Sequence, residues 1–326
     1  MKDQHGRTIN YLRISVTDKC NLRCAYCMPV EGLPWIPKQE LLTYEEITEI
    51  VRQMAGLGLR RVRLTGGEPL VRRDLAALVR QLEALDVLED ISLSTNAVLL
   101  ADLADELRAA GVDRLNISLD TLRRDRFAEL ARRPERFYDD TMDGIAAAEA
   151  AGFDPLKINC VVMRGFNDDE IPDFAAITRE RPWHVRFIEL MPTGENLFLS
   201  DAFISADELL GRLEHAEHLR PVDGPKGNGP ARYYRFPGAR GTVGVITPLS
   251  HNYCDRCNRM RLTADGRLRT CLFGTHEVDL KAPLREGGDV VPAVREALAG
   301  KPERHFLRIG TAAGSGGLAA LSEVGG

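Results

Sequence analysis

Six of the seven cysteines fall into two tight triplets, and thiols clustered in this way are candidate metal ligands. Cys20, Cys24 and Cys27 have the spacing C-x3-C-x2-C, and Cys254, Cys257 and Cys271 the spacing C-x2-C-x13-C. Three thiolates can hold three irons of a cubane [4Fe–4S] cluster and leave the fourth iron without a protein ligand. An open iron can chelate a small molecule, as the open position of a catalytic metal does. Zinc is the competing reading. The first triplet has no obvious fourth zinc ligand, because His5 is distant and no His or Cys follows Cys27 closely. For the second triplet, spacing alone favours zinc, since C-x2-C knuckles recur in zinc sites. The seventh cysteine, Cys160, sits inside a β-like run and reads as a buried apolar filler.

Other residues extend the chemistry. Gly66-Gly67-Glu68-Pro69 stops a predicted strand, and its glycines let a ligand approach the backbone where a Cβ would intervene. Glu68 can accept a hydrogen bond from an ammonium group. Tyr26, beside Cys27, can offer its ring to an adenine or pack within its loop. Arg259 and Arg261 alternate on a strand, so both guanidinium forks point to one face and suit a polyphosphate.

The elements that must carry these residues alternate. Predicted strands are 11–16, 61–64, 90–95, 114–119, 156–163 and 184–190. Predicted helices are 43–54 (with a Thr43/Glu46 capping box), 74–85, 99–110, 139–151 and 169–179. This succession implies an α/β fold with a parallel sheet. Six strands are visible, so an eight-stranded closed barrel does not follow. After about Pro192 the pattern changes to a helix at 205–213, a Gly/Pro-rich loop at 221–230, strands at 233–236 and 242–246, and a hairpin around Asp265-Gly266. The expected division is therefore 1–192 and 193–326, the second part carrying the second triplet. The tail 310–326, rich in Gly, Ala and Ser, reads as mobile.

Composition excludes several classes. The formal net charge of −5 disfavours a nucleic-acid binder, although a local arginine cluster can still take a small anion. No apolar run is long enough to span a bilayer. The polar start Met1-Lys2-Asp3-Gln4-His5 points to a cytoplasmic protein, and with an odd cysteine count it argues against a disulfide framework.

Taken together, C-x3-C-x2-C and the glycine turn resemble the radical S-adenosylmethionine superfamily. More narrowly, the chain is similar to the GTP 3′,8-cyclases, the molybdenum cofactor biosynthesis protein A family. The resemblance covers nearly the whole chain up to about Pro302. Its blocks are Gly6-Arg7 with YLRISVTDKCNLRCAYCMP (11–29), VRLTGGEPLVRRDL (62–75), NISLD (116–120), VMRGFND (162–168), RFIELMPTG (186–194), ARYYR (231–235) and SHNYCDRCNRMRLTADGRLRTCLF (250–273).

This resemblance implies an incomplete (β/α)6 TIM-like barrel with a smaller C-terminal α+β cap. It implies two [4Fe–4S] clusters, the second replacing the zinc reading. S-adenosylmethionine would be bound by Tyr26, Gly67, Ser118 and Met191. GTP would be bound by Arg13, Arg63, Ser94 (or Thr95), Lys157, Arg259 and Arg261, with Arg13, Arg259 and Arg261 catalytic. The implied reaction starts when a 5′-deoxyadenosyl radical removes the ribose 3′ hydrogen. The C3′ radical then closes onto C8, and one further reduction with uptake of a proton gives 3′,8-cyclo-7,8-dihydro-GTP, the first step of molybdenum cofactor biosynthesis. An external electron donor, a downstream cyclic pyranopterin monophosphate synthase, a monomer or homodimer, and a Gly325-Gly326 tail reaching the active site complete the expectation. The rival readings are a radical peptide maturase and a non-enzymatic zinc-stapled binding module.

Overall fold

Side chains alternate across a strand, so every second residue faces the helices and the others face inward. The computed structural model describes residues 1–192, 201–213, 218–227 and 229–307 and shows this division strand after strand. In β1 (Tyr11–Ser15), Leu12 and Ile14 are fully buried in the main apolar core, while Tyr11 and Arg13 occupy the other face. Helix α1 (Tyr44–Gly56) begins with the expected capping box: Glu46 N–H donates to Thr43 Oγ1 at 3.2 Å, and Thr43 N–H donates to Glu46 Oε2 at 2.7 Å. Its Ile47, Ile50, Val51 and Met54 are buried at helical spacing.

The alternation continues through β2 (Arg61–Thr65), α2 (Leu75–Glu83), β3 (Asp90–Thr95), α3 (Ala104–Ala110), β4 (Arg114–Ser118), α4 (Arg124–Ala131), α5 (Arg136–Ala150), β5 (Leu156–Val162), α6 (Ile171–Glu180) and β6 (Trp183–Glu189). All six predicted strands are present within two residues of their expected ends. Helix α3 starts later than 99, because Leu100 N–H bonds Ala97 C=O and Leu103 N–H bonds Leu100 C=O in successive i→i+3 turns. Helix α4, which the sequence reading passed over, is short and charged, and buries Phe127, Leu130 and Ala131.

Chain order continues with α7 (Ala206–Gly211), β7 (Arg220–Val222), β8 (Arg232–Arg235), β9 (Thr242–Ile246), β10 (Arg259–Leu262), β11 (Arg267–Arg269), β12 (Glu277–Asp279), α8 (Lys281–Arg285) and α9 (Val291–Ala299). Of these, β7, β12, α8 and α9 were not expected. All strands join one twelve-stranded sheet in the order β12-β11-β10-β1-β2-β3-β4-β5-β6-β9-β8-β7. β10 lies parallel beside β1, and β9 parallel beside β6. The parallel array therefore extends to β10, β1–β6 and β9, with antiparallel hairpin strands outside each edge. Among the described residues the sheet is not closed by hydrogen bonds, as expected of a partial TIM-like barrel. It runs across residue 192 without interruption, since β6 on one side pairs with β9 on the other. Among the described residues no helix is long and apolar enough to cross a membrane.

Candidate active site

The first triplet lies in the loop leaving the C-terminal end of β1. Cys27 N–H donates to Cys24 C=O at 2.9 Å, and Leu22 N–H points to Cys20 Sγ at 3.4 Å, so the backbone turns within the triplet. The glycine turn after β2 is pressed against this loop. Gly67 N–H bonds Thr17 C=O at 2.8 Å and Glu68 N–H bonds Lys19 C=O at 2.8 Å. A Cβ on Gly67 would overlap the carbonyls of Lys19 and Asp18. Gly67 thus lets two stretches of backbone touch.

Acids stand behind the thiols. Glu68 is buried and accepts from Thr95 Oγ1 at 2.7 Å, Asn96 N–H at 2.7 Å and Leu70 N–H at 3.0 Å. Burial pushes its carboxyl up to about 7 against those hydrogen bonds. Asp120, beyond β4, accepts from Tyr26 Oη at 2.9 Å and Val161 N–H at 2.8 Å, and burial pushes it up to about 6. Burial, then Glu68, pushes the Cys20 thiol up to about 12; burial, then Asp120, pushes Cys24 up as well.

The second triplet flanks the β10–β11 hairpin. Cys254 and Cys257 precede β10, and Cys271 follows the antiparallel β11, so all three lie at the end where the parallel strands begin. Cys257 N–H closes a tight turn onto Cys254 C=O at 3.2 Å. Burial alone would raise the Cys257 thiol, but the cations of Lys301 and Arg259 outweigh it and lower it. The two triplets therefore sit at opposite ends of the parallel strands. None of the seven cysteines is in a disulfide. Among the described residues no three Cys, His, Asp or Glu side chains converge as the ligands of a single metal ion do.

Between the triplets the inward face is cationic. Backbone register sets Arg261, Arg13 and Arg63 side by side on β10, β1 and β2. Arg63 Nε donates to Ser92 Oγ at 3.1 Å, and its guanidinium lies 5.6 Å from the Tyr11 ring. Across the chamber, Arg186 Nη2 donates to Asn116 Oδ1 at 2.6 Å, and Lys157 Nζ donates to the Lys226 carbonyl at 2.5 Å. Arg114 is held by Asp90 through a two-pronged ion pair. Burial first, and then neighbouring cations, lowers Arg261 to about 10 and Lys157 to about 6. Burial likewise lowers Arg63 to about 10. Among the described residues, five buried polar atoms on this face have no hydrogen-bond partner: Tyr11 Oη, Arg114 Nη1, Asn159 Oδ1, Arg186 Nε and Arg259 Nε. Asn159 Oδ1 can only accept, but the other four can donate, and buried donors left open in a cationic chamber suit a polar, anionic ligand.

Residues 14–177 match the Radical SAM superfamily, and residues 183–307 match Molybdenum Cofactor Synthesis C. The GTP 3′,8-cyclase of Moorella thermoacetica is 49% identical over 313 residues, covering 95% of this chain and 96% of the relative. The GTP 3′,8-cyclase of Geobacter sulfurreducens is 46% identical over 308 residues, covering 94% of each. The chain belongs to the GTP 3′,8-cyclases of the radical SAM superfamily. Streptococcus suis SuiB, 15% identical, superposes with a TM-score of 0.59 over 92% of this chain and 74% of that one, and shares the fold. Membership among these cyclases implies a [4Fe–4S] cluster and S-adenosylmethionine, and the first triplet fits them. It offers three cysteines outside any disulfide, with Tyr26 bonded to Asp120 beside Cys24.

The other family-implied positions fall as follows. Ser94 is on the inward face of β3, beside Asn116, whereas the Thr95 hydroxyl is committed to Glu68. Ser118 ends β4 beside Asn159, and Met191 follows β6, half-buried. Cys160 is buried in the main core, with Sγ 3.6 Å from the Asp120 carbonyl. Arg186, Arg114, Asn116, Asn159 and Tyr11 were not singled out from the sequence. Each is a polar residue at an alternate position of its strand, and that pattern was available in RFIEL, RLNIS, LKINC and YLRIS. The Gly325-Gly326 tail, Gly194 and Asn228 lie outside the described residues.

Proposed function

We propose that the chain converts GTP to 3′,8-cyclo-7,8-dihydro-GTP, opening molybdenum cofactor biosynthesis, inside the chamber between the two triplets. The observation that carries this reading is the cationic inward face of β10, β1, β2, β5 and β6, with a thiol triplet at each end. Cys20, Cys24 and Cys27 would hold the first [4Fe–4S] cluster. Cys254, Cys257 and Cys271 would hold a second. Tyr26, Gly67, Ser118 and Met191 would line S-adenosylmethionine. When bound, the first cluster and S-adenosylmethionine supply the one-electron chemistry that removes the ribose 3′ hydrogen.

The chain's own residues do the rest. Arg13, Arg63 and Arg261 grip the triphosphate from neighbouring strands, Lys157 reaches it from β5 across the chamber, and Ser94 adds a hydroxyl on the inward face of β3. Burial strengthens each charge-assisted bond by excluding competing water. Arg13, Arg259 and Arg261 hold the ribose and base fixed while charge shifts during ring closure, as preorganised donors do. Tyr26, tied to Asp120, keeps one wall of the first site rigid. The external electron donor, transfer of product to cyclic pyranopterin monophosphate synthase, a cytoplasmic setting and a monomeric or homodimeric state belong to the same proposal.

The test is anaerobic incubation of reconstituted protein with GTP, S-adenosylmethionine and dithionite. Two cubanes should give about eight irons with matching sulfide per chain. Mass spectrometry should find the cyclised nucleotide and 5′-deoxyadenosine in step. Zinc without sulfide, or deoxyadenosine release indifferent to GTP with no cyclised product, overturns the reading.

A further inference from the structure

Lys301 follows α9 and is 2% exposed, which is rare for a lysine, and among the described residues it has no acidic partner. Its ammonium donates to three groups. They are the carbonyl of Arg259 at 3.1 Å, the carbonyl of Thr270, and Cys257 Sγ at 3.6 Å. None of these partners is a carboxylate. Arg259 lies two residues after Cys257, and Thr270 immediately precedes Cys271. One buried cation therefore ties together both arms of the hairpin that carries the second triplet.

A second cation completes the arrangement from the other end of the chain. Arg7 donates to the Cys254 carbonyl at 2.8 Å, to the Glu303 carbonyl at 2.8 Å and to the Pro302 carbonyl at 2.7 Å, while Asp3 fixes its Nε at 2.7 Å. Gln4 Nε2 donates to the Lys301 carbonyl at 3.3 Å. The N-terminal loop and the segment after α9 thus clasp each other around the triplet. Around the first triplet, Arg23 and Arg133 also donate to loop carbonyls, those of Cys20 at 2.7 Å and Asn21 at 2.6 Å, but the buried side chains behind the thiols are the acids Glu68 and Asp120.

We propose that Lys301 is a positioning residue for the second triplet, and that its buried charge raises the reduction potential of the cluster held there. The proposal rests on the reading that Cys254, Cys257 and Cys271 hold a [4Fe–4S] cluster. Such a cluster gains negative charge on reduction, and charge and hydrogen bonds at its sulfurs set its potential. A cation in contact with a ligating sulfur favours the more negative, reduced state. At this depth, one unit charge a few ångströms away is worth about a tenfold or larger change in the reduced-to-oxidised ratio at fixed potential.

The experiment uses the full chain with Cys20, Cys24 and Cys27 all changed to Ser, reconstituted anaerobically, so that only the second triplet can load. About four irons per chain in this parent supports the reading beneath the proposal, and no iron defeats that reading rather than the role of Lys301. Lys301→Gln then removes the charge but keeps hydrogen-bond donors for the carbonyls; Lys301→Arg keeps the charge. A redox titration followed by electron paramagnetic resonance should show Lys301→Gln loaded with iron but reduced at a lower midpoint, with Lys301→Arg near the parent. If Lys301→Gln cannot hold iron and Lys301→Arg can, a cation is still required. An unshifted midpoint in iron-loaded Lys301→Gln, or equal iron loss in both variants, overturns the proposal.

Discussion

The two cysteine triplets solve one ligation problem with opposite surroundings. The first is compact in sequence: three cysteines lie within one loop, which is braced by the glycine turn and by the backbone of Leu130 and Ala131, and the buried side chains behind the thiols are acids. The second is assembled from distant pieces. Cys254, Cys257 and Cys271 are gathered by a hairpin, by Lys301 and by Arg7, and the surroundings are cationic. Acids and burial disfavour extra negative charge at the first site, whereas cations favour it at the second. The same donor set can thus be poised differently at the two ends of one chamber.

The largest expected effect breaks the pair apart. Cys24→Ser should abolish 5′-deoxyadenosine formation altogether. Cys257→Ser should abolish the cyclised nucleotide while leaving slow cleavage of S-adenosylmethionine, read by chromatography of both products. If the two variants lose deoxyadenosine equally, the division of roles is wrong.

Next comes Gly67→Ala. Its Cβ would collide with backbone carbonyls of the first cysteine loop, and backbone cannot yield as a side-chain tip can. Iron content should fall by about half, the loss confined to the first site. Retention of full iron would show that the loop tolerates the methyl group and that the close approach matters less than its geometry suggests.

The chamber between the triplets gives smaller, graded effects. Arg13→Ala or Arg261→Ala should weaken GTP binding by about tenfold to a hundredfold, the range for losing one buried charge-assisted contact, measured by equilibrium dialysis. Equal loss of S-adenosylmethionine binding would place these arginines at the wrong end.

The smallest effect is a pH dependence. Lys157 sits at about 6 in the free protein, so above pH 7 it is mostly neutral. A bound phosphate favours the ammonium and raises that value, so between the two values binding takes up a proton. GTP should therefore bind more weakly as pH rises from about 7.5 to 9, by at most about tenfold per unit. Calorimetry in buffers of different ionisation enthalpy reads the proton directly. Lys157→Met should bind more weakly and without that uptake.

How much could be read beforehand varied along the chain. Strands β1 to β6 were legible because their outward residues are apolar and β-branched, so the alternation is strong and local. The inward polar residues carried the same signal in reverse, yet Arg186 and Asn159 went unremarked beside their more conspicuous neighbours. Residues 220–222 and 277–279 were not legible as strands. Each is three residues long and joins the sheet only by pairing with a hairpin neighbour. Lys301, in a short polar stretch after a helix, carries no local mark of being buried.

Residue types and spacing were enough to establish the two thiol triplets, the glycine turn between strand and helix, and the α/β alternation, because each rests on contacts within a few residues. Local order could not reveal that β10 and β9 extend the parallel array at both edges. Nor could it place the triplets at opposite ends of one cationic chamber, or bring Lys301 and Arg7 to the second. Those facts depend on pairings between segments up to hundreds of residues apart. Only folding sets such distances, through the shared burial of surfaces that no single segment can hide alone.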